Sequence, residues 1–208
     1  MKRILILGAS GTFGKALVEK LSNDEECHLT LASRHASAFY HESERCHVVD
    51  CDAMKTDDLQ QAMTSCHVVY CAISGYNLPV IAANMVSAMK KNGVRRLIFM
   101  GAVGIYNEIP VNMDDKDNVR NNPDQVPNRD AVANVEASGL DYTILRPGYL
   151  QDGDKDDFTL TFKGEQAKGY VSTIPSVVEL AASLINDDTL YLHQSVSITR
   201  DMSNTEKL

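Results

Sequence analysis

The sequence lacks the features that would mark a membrane protein or a nucleic-acid-binding protein. No apolar run approaches the ~20 residues of a membrane span, and the N-terminal segment reaches glycine too early for a good signal peptide. Clusters of Lys and Arg are also missing, and the formal net charge of −8 disfavours binding along a phosphate backbone. We therefore expect a cytoplasmic protein that binds neither nucleic acid nor membrane.

A disulfide framework and a metal site are also poorly supported. The five cysteines are odd in number and form no CxxC pair, which suits a reducing compartment. Cys27, Cys46 and Cys66 are each followed by His, and both residue types can bind metals. Each pair precedes a strand-like run, so the pairs should lie at the N-terminal edge of a parallel sheet. The strand after Cys66 should lie on the opposite side of the first strand from the strands that follow Cys27 and Cys46. We predict no metal site.

Strand-like and helix-like segments alternate along the chain, which predicts an α/β fold with a Rossmann-like doubly wound parallel sheet. Six short apolar runs read as strands: RILILG, HLTLAS, HVVD, HVVYCA, RRLIFMG and DYTILR. Helices are predicted over Phe13–Asn23, Asp57–Met63, Leu78–Lys91 and roughly Gln125–Ala137, with a last helix near PSVVEL, where Ser176 and Glu179 have capping-box spacing.

We expect one domain over residues 1–208, with a cofactor-binding core in 1–150 and a small C-terminal elaboration in 151–208. Residues 106–128 are polar and carry three prolines, which predicts a long functional or mobile loop after the fifth strand. Residues 149–175 predict a short strand pair.

Three glycines, Gly8, Gly11 and Gly14, join the first strand to the first helix. In this setting the first permits a sharp turn, the second lets the backbone approach a pyrophosphate, and the third allows close packing of the helix. A Walker loop does not fit, because five residues separate Gly8 from Gly14 and Ala16 stands where Ser or Thr is needed. An ordinary glycine-rich turn is the weaker alternative, and we predict dinucleotide binding.

The end of the second strand indicates which dinucleotide is bound. NAD-dependent proteins place an acidic residue there, whereas LASRH has no acid and carries Arg34, which can pair with a 2′-phosphate. We therefore predict NADP, with NADPH preferred over NADH. Asp52 follows the third strand and is placed either to meet the adenine or to serve as an ordinary acid of a polar loop.

The segments GASGTFG, LASR, VVDCDAMKTDDL and SGLDYTILRPG together resemble the atypical short-chain dehydrogenases of the NAD(P)H-binding, NmrA-like group. The group includes small flavin, biliverdin and quinone reductases and non-catalytic NADP sensors. The resemblance spans roughly residues 1–150 and implies a cofactor lying over the C-terminal ends of the strands. It implies phosphate contacts from Gly8, Ser10, Gly11, Thr12, Phe13 and Gly14, a 2′-phosphate contact from Arg34, and a ribose and nicotinamide path along Ala72, Ile73, Ser74 and Ala102. It also places Arg146-Pro147-Gly148 beside the substrate pocket.

The usual catalytic residues of short-chain dehydrogenases are missing. No Tyr is followed four residues later by Lys, and Gly101-Ala102 stands where the family often has Ser-Ser. Two functions remain open. One is an NADPH-dependent oxidoreductase that passes hydride to a small-molecule acceptor such as a flavin or quinone, without the Ser-Tyr-Lys set. The other is a non-catalytic NADP(H)-sensing regulator of NmrA type. Tyr106 is the candidate proton donor if any side chain has that role, although packing on the sheet edge is the stronger interpretation of a loop aromatic. The oligomeric state stays open.

Overall fold

The computed structural model describes residues 1–113 and 115–203. The strands are β1 (Lys2–Leu7), β2 (Cys27–Ser33), β3 (Cys46–Asp50), β4 (Val68–Cys71), β5 (Arg96–Met100), β6 (Asp141–Pro147), β7 (Tyr149–Leu150), β8 (Thr159–Phe162), β9 (Val171–Ser172) and β10 (Gln194–Thr199). The α-helices are α1 (Thr12–Leu21), α2 (Thr56–Ala62), α3 (Leu78–Asn92), α4 (Val126–Glu136) and α5 (Ile174–Asn186). The six predicted strands and five predicted helices are all present, and for the helices whose ends were given no end differs by more than two residues.

The main sheet has eight strands in the order β3-β2-β1-β4-β5-β6-β10-β8. Neighbouring strands are parallel except for β8, which runs antiparallel to β10. The strand order reverses between β1 and β4, which is where a doubly wound sheet leaves a ligand crevice at its C-terminal edge. The predicted Rossmann-like α/β fold is thus confirmed.

Alternation along β1 divides the core into two layers. Leu5 and Leu7 pack into one buried cluster together with side chains of α2, α3 and α4. Ile4 and Ile6 point to the other face and pack with side chains of α1 and α5. The last four residues of β1, from Ile4 to Leu7, are all apolar and buried because both faces of the sheet are covered by helices.

The C-terminal part is more closely integrated with the sheet than the sequence indicated. The expected strand pair is present as the small parallel pair β7-β9, but β8 and β10 extend the main sheet. The prediction missed β10, whose sequence QSVSIT alternates polar with apolar residues. Ser197 is buried all the same, because its hydroxyl bonds to that of Thr161 at 2.5 Å.

The start of α5 also differs from the prediction. Thr173, rather than Ser176, is the N-cap, and its side-chain oxygen accepts a hydrogen bond from the Ser176 N–H. Glu179 turns outward to Lys20, at 2.8 Å. Among the described residues, no helix has the length and hydropathy needed to cross a membrane.

The Cys-His pairs lie where the sequence placed them. Cys27 and Cys46 begin β2 and β3, Cys66 directly precedes β4, and β4 lies on the other side of β1 from β2 and β3. Within residues 1–113 and 115–203, no three His, Cys, Asp or Glu side chains come together as metal ligands.

Candidate functional site

A cleft of about 420 Å³ opens at the C-terminal edge of β1, β2, β3 and β4. It is built from the segments that follow these four strands. Eight of the predicted cofactor residues line it: Gly8, Ser10, Gly11, Arg34, Asp52, Ala72, Ile73 and Ser74.

The glycine turn has a separate structural requirement at each position. Gly8 has φ +89°, and a Cβ there would lie 3.1 Å from the backbone of Ala72. A Cβ on Gly14 would lie 2.8 Å from Ala9 Cα and would also overlap the Gly8 carbonyl oxygen. A Cβ on Gly11 meets only the Gly8 oxygen, at 3.3 Å, and projects toward open space. The fold therefore requires glycine at positions 8 and 14, whereas position 11 is left bare toward the cleft.

Helix α1 presents its N-terminus to this cleft. Gly11 is the N-cap and supplies no side-chain hydrogen bond. The first N–H groups of a helix have no intrahelical acceptor and carry the positive end of its dipole, so this end suits an anion. Thr12, Phe13 and Gly14 form this first turn without lining the cleft. The Tyr40 hydroxyl donates to the Ala9 carbonyl at 2.7 Å and holds the turn in place.

The end of β2 presents two unsatisfied polar groups to the cleft. The Ser33 hydroxyl is buried without a hydrogen-bond partner among the described residues. Arg34 is exposed on the cleft, and within residues 1–113 and 115–203 its guanidinium makes no ion pair or hydrogen bond. An orphaned hydroxyl beside a free cation, with no acid on the same strand end, fits a phosphorylated ribose.

The loop that follows Arg34 is anchored to β3. The Asp50 carboxylate accepts hydrogen bonds from the Ser37 N–H at 2.9 Å and from the Ser37 hydroxyl at 2.7 Å. These bonds, led by the one from the hydroxyl, lower the pKa of Asp50. This acid therefore holds the loop, and Arg34 remains unpaired.

The far end of the cleft is lined by Asp52, Met54, Phe39 and Cys51. The Asp52 carboxylate accepts from the Met54 N–H at 3.0 Å, so Asp52 stabilises its own turn while it lines the cleft. Phe39 is 55% exposed at the mouth, and Lys15 Nζ lies over its ring, 4.9 Å from the ring centre. Burial raises the pKa of the Cys51 thiol to about 12, so Cys51 is not a nucleophile at neutral pH.

A second cavity of about 230 Å³ lies at the C-terminal ends of β5 and β6. It is lined by Ala102, Val103, Asp117, Gln125, Pro147, Gly148 and Tyr149. Ala102, which was predicted with the cofactor residues, lies here rather than in the main cleft. Between the two openings, the Tyr76 hydroxyl donates to the Asp124 carboxylate at 3.0 Å and links the segment after β4 to the turn before α4.

The predicted long loop is well packed on the sheet. Asn118 is fully buried, donates to the Ile109 carbonyl at 2.8 Å and accepts from the Ile109 N–H at 3.0 Å. Glu108 makes a buried ion pair with Arg146 of β6. Arg146 therefore anchors the loop, while Pro147 and Gly148 line the second cavity.

Tyr106 lies outside both cavities. Its hydroxyl donates to Glu136 Oε1 at 2.8 Å and lies 3.1 Å from Ser195 Oγ. Lys163 Nζ sits 4.7 Å from the centre of its ring. Burial raises the pKa of the phenol above its ordinary value, which makes proton release harder. These contacts agree with the packing alternative and do not support Tyr106 as the proton donor.

Sequence reasoning overlooked several cleft-lining residues: Ser33, His35, Phe39, Met54, Tyr76 and Asn77. Ser33 and His35 flank Arg34 and could have been found from the same strand end. Phe39 and Tyr76 carry no local signal, because an exposed aromatic on a loop becomes informative only when its neighbours in space are known.

Comparison with known proteins relates the whole chain to nicotinamide-dependent proteins. A family model described as NAD(P)H-binding matches residues 8–188. A Rossmann-fold NAD(P)-binding family protein from Shigella flexneri is 29% identical, with a TM-score of 0.83 over 100% of this chain and 98% of that one. A short-chain dehydrogenase/reductase from Veillonella parvula, solved in complex with NADP, is 25% identical, with a TM-score of 0.87 over the same shares.

A more distant structure, the anaerobillin reductase ChuY from Escherichia coli O157:H7, shares the fold at 19% identity, with a TM-score of 0.80 over 100% of both chains. No curated protein sequence matches this chain.

Proposed function

Since the chain belongs to the NAD(P)H-binding family, we propose that it is an NADPH-dependent reductase that passes hydride to a small acceptor such as a flavin or quinone. The observation that carries this proposal is the pairing of two openings along one sheet edge. A cleft with a bare glycine turn and a free Arg34 adjoins a second cavity at the ends of β5 and β6.

Different cleft residues would bind different parts of the cofactor. The N–H groups at the start of α1 would bind the pyrophosphate, since Gly11 leaves them uncovered. Arg34 would bind the 2′-phosphate, and the Ser33 hydroxyl would gain the partner it lacks. When bound, the nicotinamide supplies a hydride. Ala72 and Ile73 would form the wall on which the ring end lies, because they follow β4 toward the second cavity.

The second cavity favours an acceptor that needs no precisely placed acid. Its described lining holds no Lys, Arg or His. Tyr149 is the one phenol there; it is half-exposed, and its hydroxyl has no hydrogen bond to the described residues. The described lining has no Lys to form the Tyr-Lys pair by which short-chain dehydrogenases reduce ketones, whereas flavins and quinones can take their proton from water.

The regulatory alternative has less support. A partner-binding sensor should expose a continuous apolar surface on the loop over residues 106–128. Within the described part of that loop, Val111 is the one large hydrophobic residue that is strongly exposed, while Ile109 is buried. An isolated exposed valine is ordinary for a surface.

Titration with NADPH and NADH, followed by NADPH oxidation with flavins and quinones, tests the proposal. We expect tight NADPH binding and turnover with at least one acceptor. Tight binding without turnover on any acceptor would overturn the reductase in favour of the sensor. Failure to bind either nucleotide would overturn the cofactor site itself.

A further inference from the structure

We infer that the second cavity selects a small uncharged ring of the quinone class, and that Asp117 sets this selectivity by repelling anionic acceptors. The inference rests on the proposed reductase function and narrows its acceptor. It is carried by the size of the cavity, the charge of its lining and the surroundings of that lining.

The size of the cavity favours an acceptor of one or two rings. A void on the order of 150 Å³ accommodates benzene, so about 230 Å³ accommodates a benzoquinone or naphthoquinone. A three-ring flavin or a tetrapyrrole needs the several hundred Å³ that are usual for larger ligands.

Among the described residues that line the cavity, Asp117 is the one carboxylate, and the others are uncharged. Within residues 1–113 and 115–203, Asp117 forms no ion pair; it accepts a hydrogen bond from the Asn122 amide at 3.2 Å. Its negative charge therefore lies at the wall of the proposed acceptor site, where it would repel a phosphate, sulfonate or carboxylate on the acceptor.

Four cations from the surrounding segments are held by other carboxylates. Arg146 pairs with Glu108 beneath the cavity, and Arg120 pairs with Asp115 on the same loop as Asp117. Lys163 binds Glu136 at 2.8 Å, and Arg200 binds Asp157. None of these four cations lines the cavity.

Apolar side chains complete a surface suited to a flat ring. Val103 and Pro147 line the floor, and Tyr149 stands at the rim with 53% of its surface exposed. An exposed phenol next to an aliphatic wall offers a stacking face for a planar neutral ring.

The proposed reaction balances with water as the proton source. NADPH gives a hydride, which carries two electrons, to the quinone, and one proton is taken from water. The products are NADP⁺ and the hydroquinone. No side chain needs to release a proton, in keeping with the lining.

The test compares a naphthoquinone with the same ring bearing a sulfonate. We would measure kcat/KM for both in the wild-type protein and in Asp117→Asn, which keeps the size of the side chain and the oxygen that Asn122 binds. Asp130→Asn is the matched control, because it changes the net charge equally from a site on α4 outside both cavities. Binding of both quinones to the NADP⁺-loaded proteins is measured in parallel.

In wild type the neutral quinone should be preferred. Asp117→Asn should raise kcat/KM for the sulfonated ring about 3- to 10-fold relative to the neutral ring, and the gain should shrink in high salt. Dividing the sulfonated-to-neutral ratio of kcat/KM in the variant by the same ratio in wild type cancels the intrinsic reactivity of each ring. Asp130→Asn should leave the sulfonated-to-neutral ratio unchanged.

An unchanged ratio in Asp117→Asn, or an equal shift in Asp130→Asn, would refute the role of Asp117. Turnover with flavins and not with either quinone would refute the acceptor class and keep the reductase. If nothing is reduced, the reductase proposal fails, and the binding measurements still decide the charge selectivity. Failure of both quinones to bind would overturn the acceptor site.

Discussion

Replacement of Gly11 by Val separates cofactor binding from folding more cleanly than changes at the other two glycines of the turn. Gly11 has φ −81° and ψ 173°, an extended conformation that valine adopts readily. Its Cβ would meet only the Gly8 oxygen, at 3.3 Å, so the fold should lose about 1 kcal/mol or less from a poorer N-cap. A Cβ at Gly14 would instead press on the backbone of Ala9, and the protein would be strongly destabilised.

The effect on binding should be much larger than the effect on folding. The new methyl groups would cover N–H groups at the start of α1, where a pyrophosphate would otherwise accept hydrogen bonds. Two hydrogen bonds to a charged group, at about 1.5–3 kcal/mol each, predict a Kd on the order of a hundredfold to ten-thousandfold weaker.

Isothermal titration with NADPH measures the change in Kd, and thermal unfolding checks that Gly11→Val remains folded. Asn23→Val is the matched control, because it adds the same side chain just beyond the C-terminal end of α1, far from the cleft. It should bind NADPH as the wild type does. A folded Gly11→Val protein with wild-type affinity would refute our assignment of the glycine turn.

Three further variants test other parts of the structure. Arg34→Ala should weaken NADPH binding by about 1.5–3 kcal/mol and leave NADH nearly unaffected in parallel titrations; equal losses would show that Arg34 does not select the phosphate. Tyr106→Phe should lower the free energy of unfolding by about 1 kcal/mol through its lost bond to Glu136 and leave NADPH oxidation unchanged; abolished turnover would restore Tyr106 as a proton donor. The hydrogen bond from Arg95 lowers the pKa of Asp141, so Asp141→Asn should cost about 0.2–1 kcal/mol at neutral pH. Because the pKa of Asp141 is depressed in the folded state, its contribution to the free energy of unfolding is present above about pH 4 and is lost as the pH falls through the folded pKa. Urea titrations of wild type and Asp141→Asn should show this loss, and a difference that persists in acid would contradict the ion pair.

Local patterns of the sequence predict most of the fold. The apolar run of β1 and the helical periodicity after it depend on short-range spacing, and burial on both faces leaves a signal that needs no partner strand. Strand β10 was missed because its serines alternate with apolar residues, and their burial becomes favourable only through hydroxyl contacts with distant segments, Ser197 with Thr161 and Ser195 with Tyr106. Pairing between segments distant in sequence leaves no trace in either segment alone.

The cleft at the ends of β1 to β4 could be predicted because its lining is concentrated in a few turns that directly follow strands. The glycine spacing at Gly8 to Gly14 and the cation Arg34 each follow a strand directly, so their position is set by the local element. The second cavity could not be predicted, since Ala102, Asp117 and Tyr149 come from three separate segments.

The sequence by itself therefore determined an NAD(P)-binding sheet and placed the glycine turn and Arg34 at the ends of its first two strands, because these features depend on residues adjacent along the chain. Only the tertiary structure decided that Tyr106 faces Glu136 rather than the cleft, and that Asp117 joins Ala102 in a second cavity. Those placements depend on how the loop between β5 and α4 folds back over the sheet. Its buried anchors, Asn118 and the Glu108–Arg146 pair, exist only once the strands are assembled.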